Sequence, residues 1–324
     1  MSVFESVRFT NFKVLRNATL PLSPLTVIVG PNGSGKSTAL AALQLVVNPG
    51  AKDYANLRSL GVAADFVEIK INWAQRLGGG DYRVRWSPGS IRADGSNTAP
   101  ASKQLSGLQI YTFMPEALAG RVNLQPHAVL GATGGGLANV LDRMRDHQPE
   151  RFEALNEELR RCLPEFDRIL FDTPEMGQRE FVLKTVGGHR IGAADLSHGT
   201  LFLFAMLTIA HSAELQPIIC IEEPDRGVHP RLLREVQDVL YRVAYPEKFG
   251  AKRDPTQVIA TTHSPYFVDL YRDHPEEVVI AHKRNGGGEF ERLSDRPDLQ
   301  DILGSGSLGE VWFSGILGGV PSEG

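Results

Sequence analysis

Residues 2–10 alternate, with Val3, Glu5, Val7 and Phe9 on one side and Phe4, Ser6 and Arg8 on the other. That period of two predicts a β-strand, and Asn11-Phe12-Lys13 closes it as a turn. Residues 18–22 predict a second short strand, confined to a sheet edge by Pro21, which cannot donate to a ladder. Residues 25–29 are a compact β-branched run ending in a glycine-rich segment. Residues 36–46 follow with helical character and neither Gly nor Pro. Residues 65–73 and 81–86 alternate polar with apolar around Gly78-Gly79-Gly80, which predicts an antiparallel hairpin with one packed and one wet face. Residues 87–106, rich in Ser, Gly, Ala and Pro, read as a mobile loop, and 109–113 as a strand.

The middle of the chain changes character. Residues 136–145 and 149–163 predict helices, 168–171 and 180–184 a short strand pair, and 198–213 a strongly apolar helix. A strand at 217–221, a helix at 230–243 and a strand at 257–261 then alternate as in a βαβ unit of a parallel sheet. Residues 266–301 read as one strand with loops. Neither internal repeats nor long heptads occur.

Composition narrows the class only a little. Of 324 residues, 42% are hydrophobic and 22% charged, a balance that fills a sizeable soluble core. The net charge of -4 gives no global argument for phosphate neutralisation, so DNA is a partner that net charge does not support. Cys162 and Cys220 lack CxxC spacing, which excludes a disulfide framework or zinc cluster and fits a reducing cytosol. The first residues lack a basic segment followed by an apolar run, so no signal peptide is expected. The longest apolar stretch, 201–210, contains Thr208 and is far short of the roughly 20 residues that cross a bilayer. The expectation is a soluble, cytoplasmic protein with no membrane partner.

Four motifs carry chemistry. Gly30-Pro31-Asn32-Gly33-Ser34-Gly35-Lys36-Ser37 matches G-x-x-x-x-G-K-[ST] in full, between a strand and a helix. Glycines allow successive backbone N–H groups to face one anion-sized hollow, and the helix start adds partial positive charge. Lys36 is expected to neutralise the β- and γ-phosphates of ATP, and the Ser37 hydroxyl to ligate Mg²⁺, with Thr38 beside it in the phosphate site. The second motif, Pro217-Ile218-Ile219-Cys220-Ile221-Glu222-Glu223-Pro224, is an apolar strand ending in two carboxylates, a Walker B arrangement. Glu222 is expected to hold Mg²⁺ through water and Glu223 to orient the water that attacks the γ-phosphorus. Third, Ser197 in Leu196-Ser197-His198-Gly199-Thr200 is a helix N-cap, and as a functional group it would complete the phosphate site of a second subunit. Fourth, His263 in Thr261-Thr262-His263-Ser264-Pro265 ends a strand, where it can donate a hydrogen bond to the γ-phosphate.

The order and spacing of these motifs resemble the ABC-type ATPases, in which two nucleotide-binding domains sandwich two ATP molecules. Within them the chain resembles the branch of SMC, RecF and the overcoming-lysogenization-defect (OLD) ATPases. The resemblance rests on Asn11-Phe12-Lys13, the glycine loop, Glu222-Glu223-Pro224-Asp225 with His229-Pro230, and Thr262-His263-Ser264-Pro265. The tail, Gly306-Ser307-Leu308-Gly309-Glu310-Val311-Trp312-Phe313-Ser314-Gly315, is similar to a group of stand-alone bacterial ATPases. The resemblance implies an α/β P-loop fold of ABC type, with a mixed sheet core, an antiparallel β subdomain and a helical signature lobe. It implies one ATPase domain over 1–324, its core lobe from 1–110 and 215–324 and its helical lobe from 111–214. It also implies a homodimer in which each site joins Walker A and B of one copy to the signature motif of the other.

Departures from the pattern are specific. Glu222 replaces the usual Walker B Asp, Thr200 stands where transporters carry Gln, and His198 where they carry Gly. The Q-loop glutamine has only Gln109 and Gln104 as candidates, and Phe12 or Arg16 are candidates to cover the adenine. Without heptads between Walker A and the signature, a coiled-coil clamp is not expected. The stretch after His263 is expected to be too short for a fused nuclease domain, so a separate effector or nuclease is the expected partner, in phage defence or DNA maintenance. The rivals are a transporter nucleotide-binding subunit and an ATP-holding scaffold with little turnover. Among weaker features, 131–136 reads as a flexible connector, Glu157, Glu158, Arg160 and Arg161 as a solvated helix face, and Trp312 with Phe313 as a tail docked on the core.

Overall fold

The computed structural model describes residues 2–96, 99–284, 286–304 and 306–315. The chain groups into two compact units, one of residues 1–110, 216–221 and 254–324, the other of 111–215 and 222–253. It begins with β1 (Phe4–Phe12), β2 (Leu15–Pro21), β3 (Leu25–Val29), α1 (Lys36–Val47) and α2 (Tyr54–Leu57). β4 (Val67–Trp73), β5 (Asp81–Ser87), β6 (Ser90–Gly95), α3 (Ala99–Ser106) and β7 (Leu108–Tyr111) follow. The second unit then adds α4 (Pro115–Leu118), β8 (Val122–Asn123), α5 (Leu137–His147), α6 (Pro149–Cys162), β9 (Phe166–Asp172), β10 (Gln178–Thr185), β11 (Arg190–Gly192) and α7 (His198–His211). Last come β12 (Ile218–Glu222), α8 (Leu233–Ala244), β13 (Gln257–Thr262), α9 (Pro265–Asp269), β14 (Val278–Arg284), β15 (Gly287–Arg292), α10 (Leu299–Gly304) and α11 (Leu308–Phe313). Among the described residues no helix is long and apolar enough to cross a membrane.

The first unit holds a mixed sheet in the order β15-β14-β3-β13-β12-β7. β3 runs parallel to both neighbours, with Val27 opposite Ala260 on one side and Val278 on the other. All five of its residues are buried, which explains an unbroken apolar run where a half-wet strand would alternate. An antiparallel sheet, β2-β1-β4-β5-β6, lies in the same unit and leaves β2 at the edge expected from Pro21. Gln257 joins the two sheets. Its Oε1 accepts from the Val3 and Phe4 amides at 2.9 and 2.8 Å, and its Nε2 donates to the Phe4 and Ser23 carbonyls at 2.9 and 3.0 Å. Fully buried, it spends its bonding capacity on main chain.

Three expectations change. Residues 87–106 are not one loop, because Gly89, at φ +73°, turns the chain and β6 pairs with β5, Trp86 opposite Ile91. α3 follows, while Asn97 and Thr98 of that stretch lie outside the described residues. Residues 266–301 supply two antiparallel strands, β14 and β15, rather than one. Residues 131–136 form a hydrogen-bonded turn, Gly131 donating to Gly135 and Gly134 to Gly131, each at 2.8 Å. A Cβ at Gly134 would lie 2.4 Å from the Leu118 side chain, so the glycine there is a packing requirement.

In the second unit α7 packs on α6 and α8. Residues 222–253 belong by packing to this unit, where the resemblance implied the core lobe, because α8 buries Val236, Val239, Leu240 and Val243 as one stripe. The helix face expected to be solvated is partly internal. Glu158 is buried and accepts from Arg242 Nη1 at 2.6 Å and meets His211 Nε2 at 2.5 Å. Burial, with Glu235 nearby, pushes the Cys162 thiol up to about 12, so it stays protonated. In the first unit Trp312 is buried as expected of a docking residue, whereas Phe313 is exposed.

Candidate nucleotide and hydrolysis site

The glycine loop leaves β3 at Gly30, in the first unit. A side chain there would meet the Ala281 carbonyl at 2.3 Å, so only glycine lets the loop pass β14. Gly33 and Gly35 have φ of +75° and +104°, a left-handed backbone that other residues adopt at a cost. Open space lies where a Gly33 side chain would sit, whereas one at Gly35 would lie 2.6 Å from Leu15. α1 begins on Gly35 with no side-chain cap, so its first N–H groups are left for another acceptor. Asn32 and Ser37 are exposed, Pro31 and Thr38 half-buried.

Lys36 is buried, with its Nζ donating to the Gly30 and Pro31 carbonyls at 2.7 and 3.0 Å. The same Nζ lies 3.5 Å from Nδ1 of His263, the residue after β13. A lysine ammonium only donates, so Nδ1 faces it from the accepting side. Behind it Ser264 caps α9, accepting from the Phe267 amide. Phe12 is fully buried and cannot cover a ligand, whereas Arg16 is exposed and donates to the Leu60 carbonyl at 3.4 Å.

The acidic pair and the signature segment lie in the second unit. Glu222 ends β12 and accepts from the Thr112 hydroxyl at 2.9 Å, through Oε2. Thr112 follows β7 directly, and no motif pointed to it. The candidates for a Q-loop glutamine are Gln104, in α3, and Gln109, in β7 with its amide on the Ile110 carbonyl. Glu223 has φ +47°, a left-handed backbone at a residue with a full side chain. Its carboxylate is 4.0 Å from Arg226 Nη1.

Ser197 caps α7, accepting from the Thr200 amide at 3.2 Å, and is itself exposed. A cavity of about 390 Å³ opens at this helix start, lined by Ser197, Gly199, Thr200, Gly227, His229 and Arg231. Gly199 touches the loop behind Glu223 so closely that a Cβ would fall 2.1 Å from the Gly227 carbonyl.

These residues fit a triphosphate and a hard cation. The loop has its left-handed glycines, an uncapped helix start, a buried lysine, and a buried Ser34 hydroxyl with no hydrogen-bond partner among the described residues. In the first unit the Ser37 hydroxyl, and in the second the Glu222 carboxylate, are each an oxygen donor of the kind Mg²⁺ prefers.

Residues 4–76 match a family model described as "AAA ATPase domain", and residues 140–269 match one described as "AAA domain, putative AbiEii toxin, Type IV TA system". An OLD nuclease of Thermus scotoductus is 24% identical over 353 residues, covering 87% of this chain and 64% of the relative. The chain thus spans under two thirds of that relative. Among solved structures, an SMC head bound to the C-winged helix domain of ScpA has a TM-score of 0.66 at 17% identity, covering 90% of this chain and 97% of that one. The SMC head domain from Thermotoga maritima has a TM-score of 0.52 at 15% identity, covering 90% and 99%. Likeness at such identity speaks for fold, and the fold is that of an SMC head. Two parts of the chain thus match AAA ATPase models, its sequence is similar to that of an OLD nuclease, and its fold is similar to that of SMC heads.

Proposed function

We propose that the protein hydrolyses ATP and uses it as a dimerisation switch. The observation that supports this most is Lys36, folded over the glycine loop and 3.5 Å from His263, which gathers two phosphate-directed groups at one point. Lys36 and the loop amides of residues 30–35 hold the phosphates, and Ser37, Thr38 and the start of α1 extend that hold. Ser37 and Glu222 would hold Mg²⁺, which when bound neutralises phosphate charge. Glu223 orients the attacking water as acceptor, and His263 donates its Nε2–H to the γ-phosphate. Ser197 and the N-terminus of α7 reach the nucleotide of a second copy, so that ATP closes two chains head to tail and hydrolysis reopens them.

The OLD nuclease relative supports a nuclease as the output that this switch gates, in phage defence or DNA maintenance. SMC heads bound to ScpA support a protein partner for the head. The test is Glu223→Gln, measured by size-exclusion chromatography with light scattering. With ATP-Mg the variant should run as a stable dimer and turn over at least about a hundredfold more slowly, and with ADP as a monomer. A variant that stays monomeric in ATP with unimpaired turnover overturns the scheme.

A further inference from the structure

Arg226 has no role in the motifs, yet its guanidinium is anchored by three segments of the second unit. Nη2 donates to the Phe113 carbonyl at 2.9 Å. Nη1 lies 4.0 Å from Glu223 Oε2. The carbon between them sits 5.1 Å from the centroid of the Phe202 ring, which α7 buries. An exposed ion pair at that distance contributes about 0–1 kcal/mol, so stability is a poor account of the arrangement. Direction is a better one. Guanidinium is a rigid planar fork that can bond a carbonyl and a carboxylate at once while stacking on a ring.

The neighbours of Arg226 give that fork a purpose. The loop that starts at Glu223 is closed by the Arg226 amide donating to the Glu223 carbonyl at 3.0 Å. One residue further, the Gly227 carbonyl is packed against Gly199 in the first turn of α7. Thr112 and Phe113 are adjacent, and Thr112 bonds Glu222. One short segment after β7 therefore bonds Glu222 directly and bonds Arg226, whose guanidinium lies 4.0 Å from Glu223. Phe202 lies in α7, the helix that Ser197 caps, so the ring beneath the guanidinium and the helix start belong to one element.

We propose that Arg226 is the positioning residue for Glu223, and that Phe202 makes its position depend on α7. The proposal rests on Glu223 orienting the attacking water. Misplacing such a group by an ångström costs rate rather than binding.

The experiment is steady-state ATP turnover of Arg226→Ala, Arg226→Lys, Phe202→Leu and the Arg226→Ala/Phe202→Leu pair, with Glu223→Gln as reference. Arg226→Ala and Phe202→Leu should each lower kcat about tenfold, with KM for ATP-Mg within about twofold, and Tm should change little in Arg226→Ala. The pair should be no slower than the slower single variant, because both act through one contact. Arg226→Lys should not restore turnover, since one ammonium cannot serve the carbonyl, the carboxylate and the ring together. Wild-type kcat in Arg226→Ala, full rescue by lysine, or additive losses in the pair, each with Glu223→Gln inactive, overturns the proposal alone. Wild-type turnover by Glu223→Gln removes the underlying reading and this proposal with it. Should Phe202→Leu fail to fold, the two Arg226 variants decide.

Discussion

Thr112 gives Glu222 a hydroxyl donor at 2.9 Å, the most direct side-chain support of the acidic pair. Thr112→Val keeps the shape and deletes the donor. Turnover should fall about tenfold and need more Mg²⁺ for saturation, while Tm changes little, because a single hydrogen bond to a charged group contributes about 1.5–3 kcal/mol and water can replace it in part. A Mg²⁺ titration of phosphate release beside a melting curve checks this, and an unchanged Mg²⁺ dependence would remove Thr112 from the site. The residue shows what a sequence can display. Lys36 was legible because its spacing from two glycines is fixed by phosphate geometry. Thr112 was not, because a hydroxyl after a strand belongs to no pattern, and the search for a glutamine led to Gln104 and Gln109. Phe12 misled for the opposite reason, since its aromatic character says nothing of the full burial that disqualifies it.

Packed elements explain another part of what was hidden. β3 and α1 stood out through an unbroken apolar run and an uninterrupted helical stretch. β6 did not, because nearly all its residues are exposed on both faces and no alternation is written into it. The charges of α6 read as solvent-facing until α7 and α8 cover one side. There, burial disfavours the ionised Glu158, but the hydrogen bond from His211 and the charge of Arg242 outweigh it and lower its pKa from 4.5 to about 2. A depressed folded-state value stabilises the fold above the unfolded value, and that contribution is lost as pH falls from about 4.5 toward 2. Its upper end is about 3 kcal/mol. Melting temperatures of the wild type should therefore fall steeply across that window. Glu158→Gln should melt lower at neutral pH and lack that part of the slope, and parallel curves for the two proteins would refute the assignment.

At the scale of the whole molecule the proposal is that one copy is half a machine. Ser197→Arg tests this, because Ser197 is exposed and its cap contributes only about 1 kcal/mol to α7. The variant should bind a fluorescent ATP analogue within about twofold of wild type, yet lose both the ATP-dependent dimer and most turnover. Full turnover by a monomer would place the complete site in a single chain. The order of the motifs was legible because each is local. The membership of residues 222–253 in the second unit was not, because α8 declares its apolar stripe in sequence but not the helix that receives it. The left-handed backbone at Glu223 bears on how such a chain ages under mutation. Asparagine adopts that conformation more readily than glutamate, so replacing Glu223 relieves local strain of about 1 kcal/mol while removing the group assigned to hydrolysis. Lineages released from selection for turnover would drift toward sturdier, silent proteins that still bind nucleotide. On the proposed reading of Glu223, the chain carries this strained backbone for the sake of turnover rather than of stability.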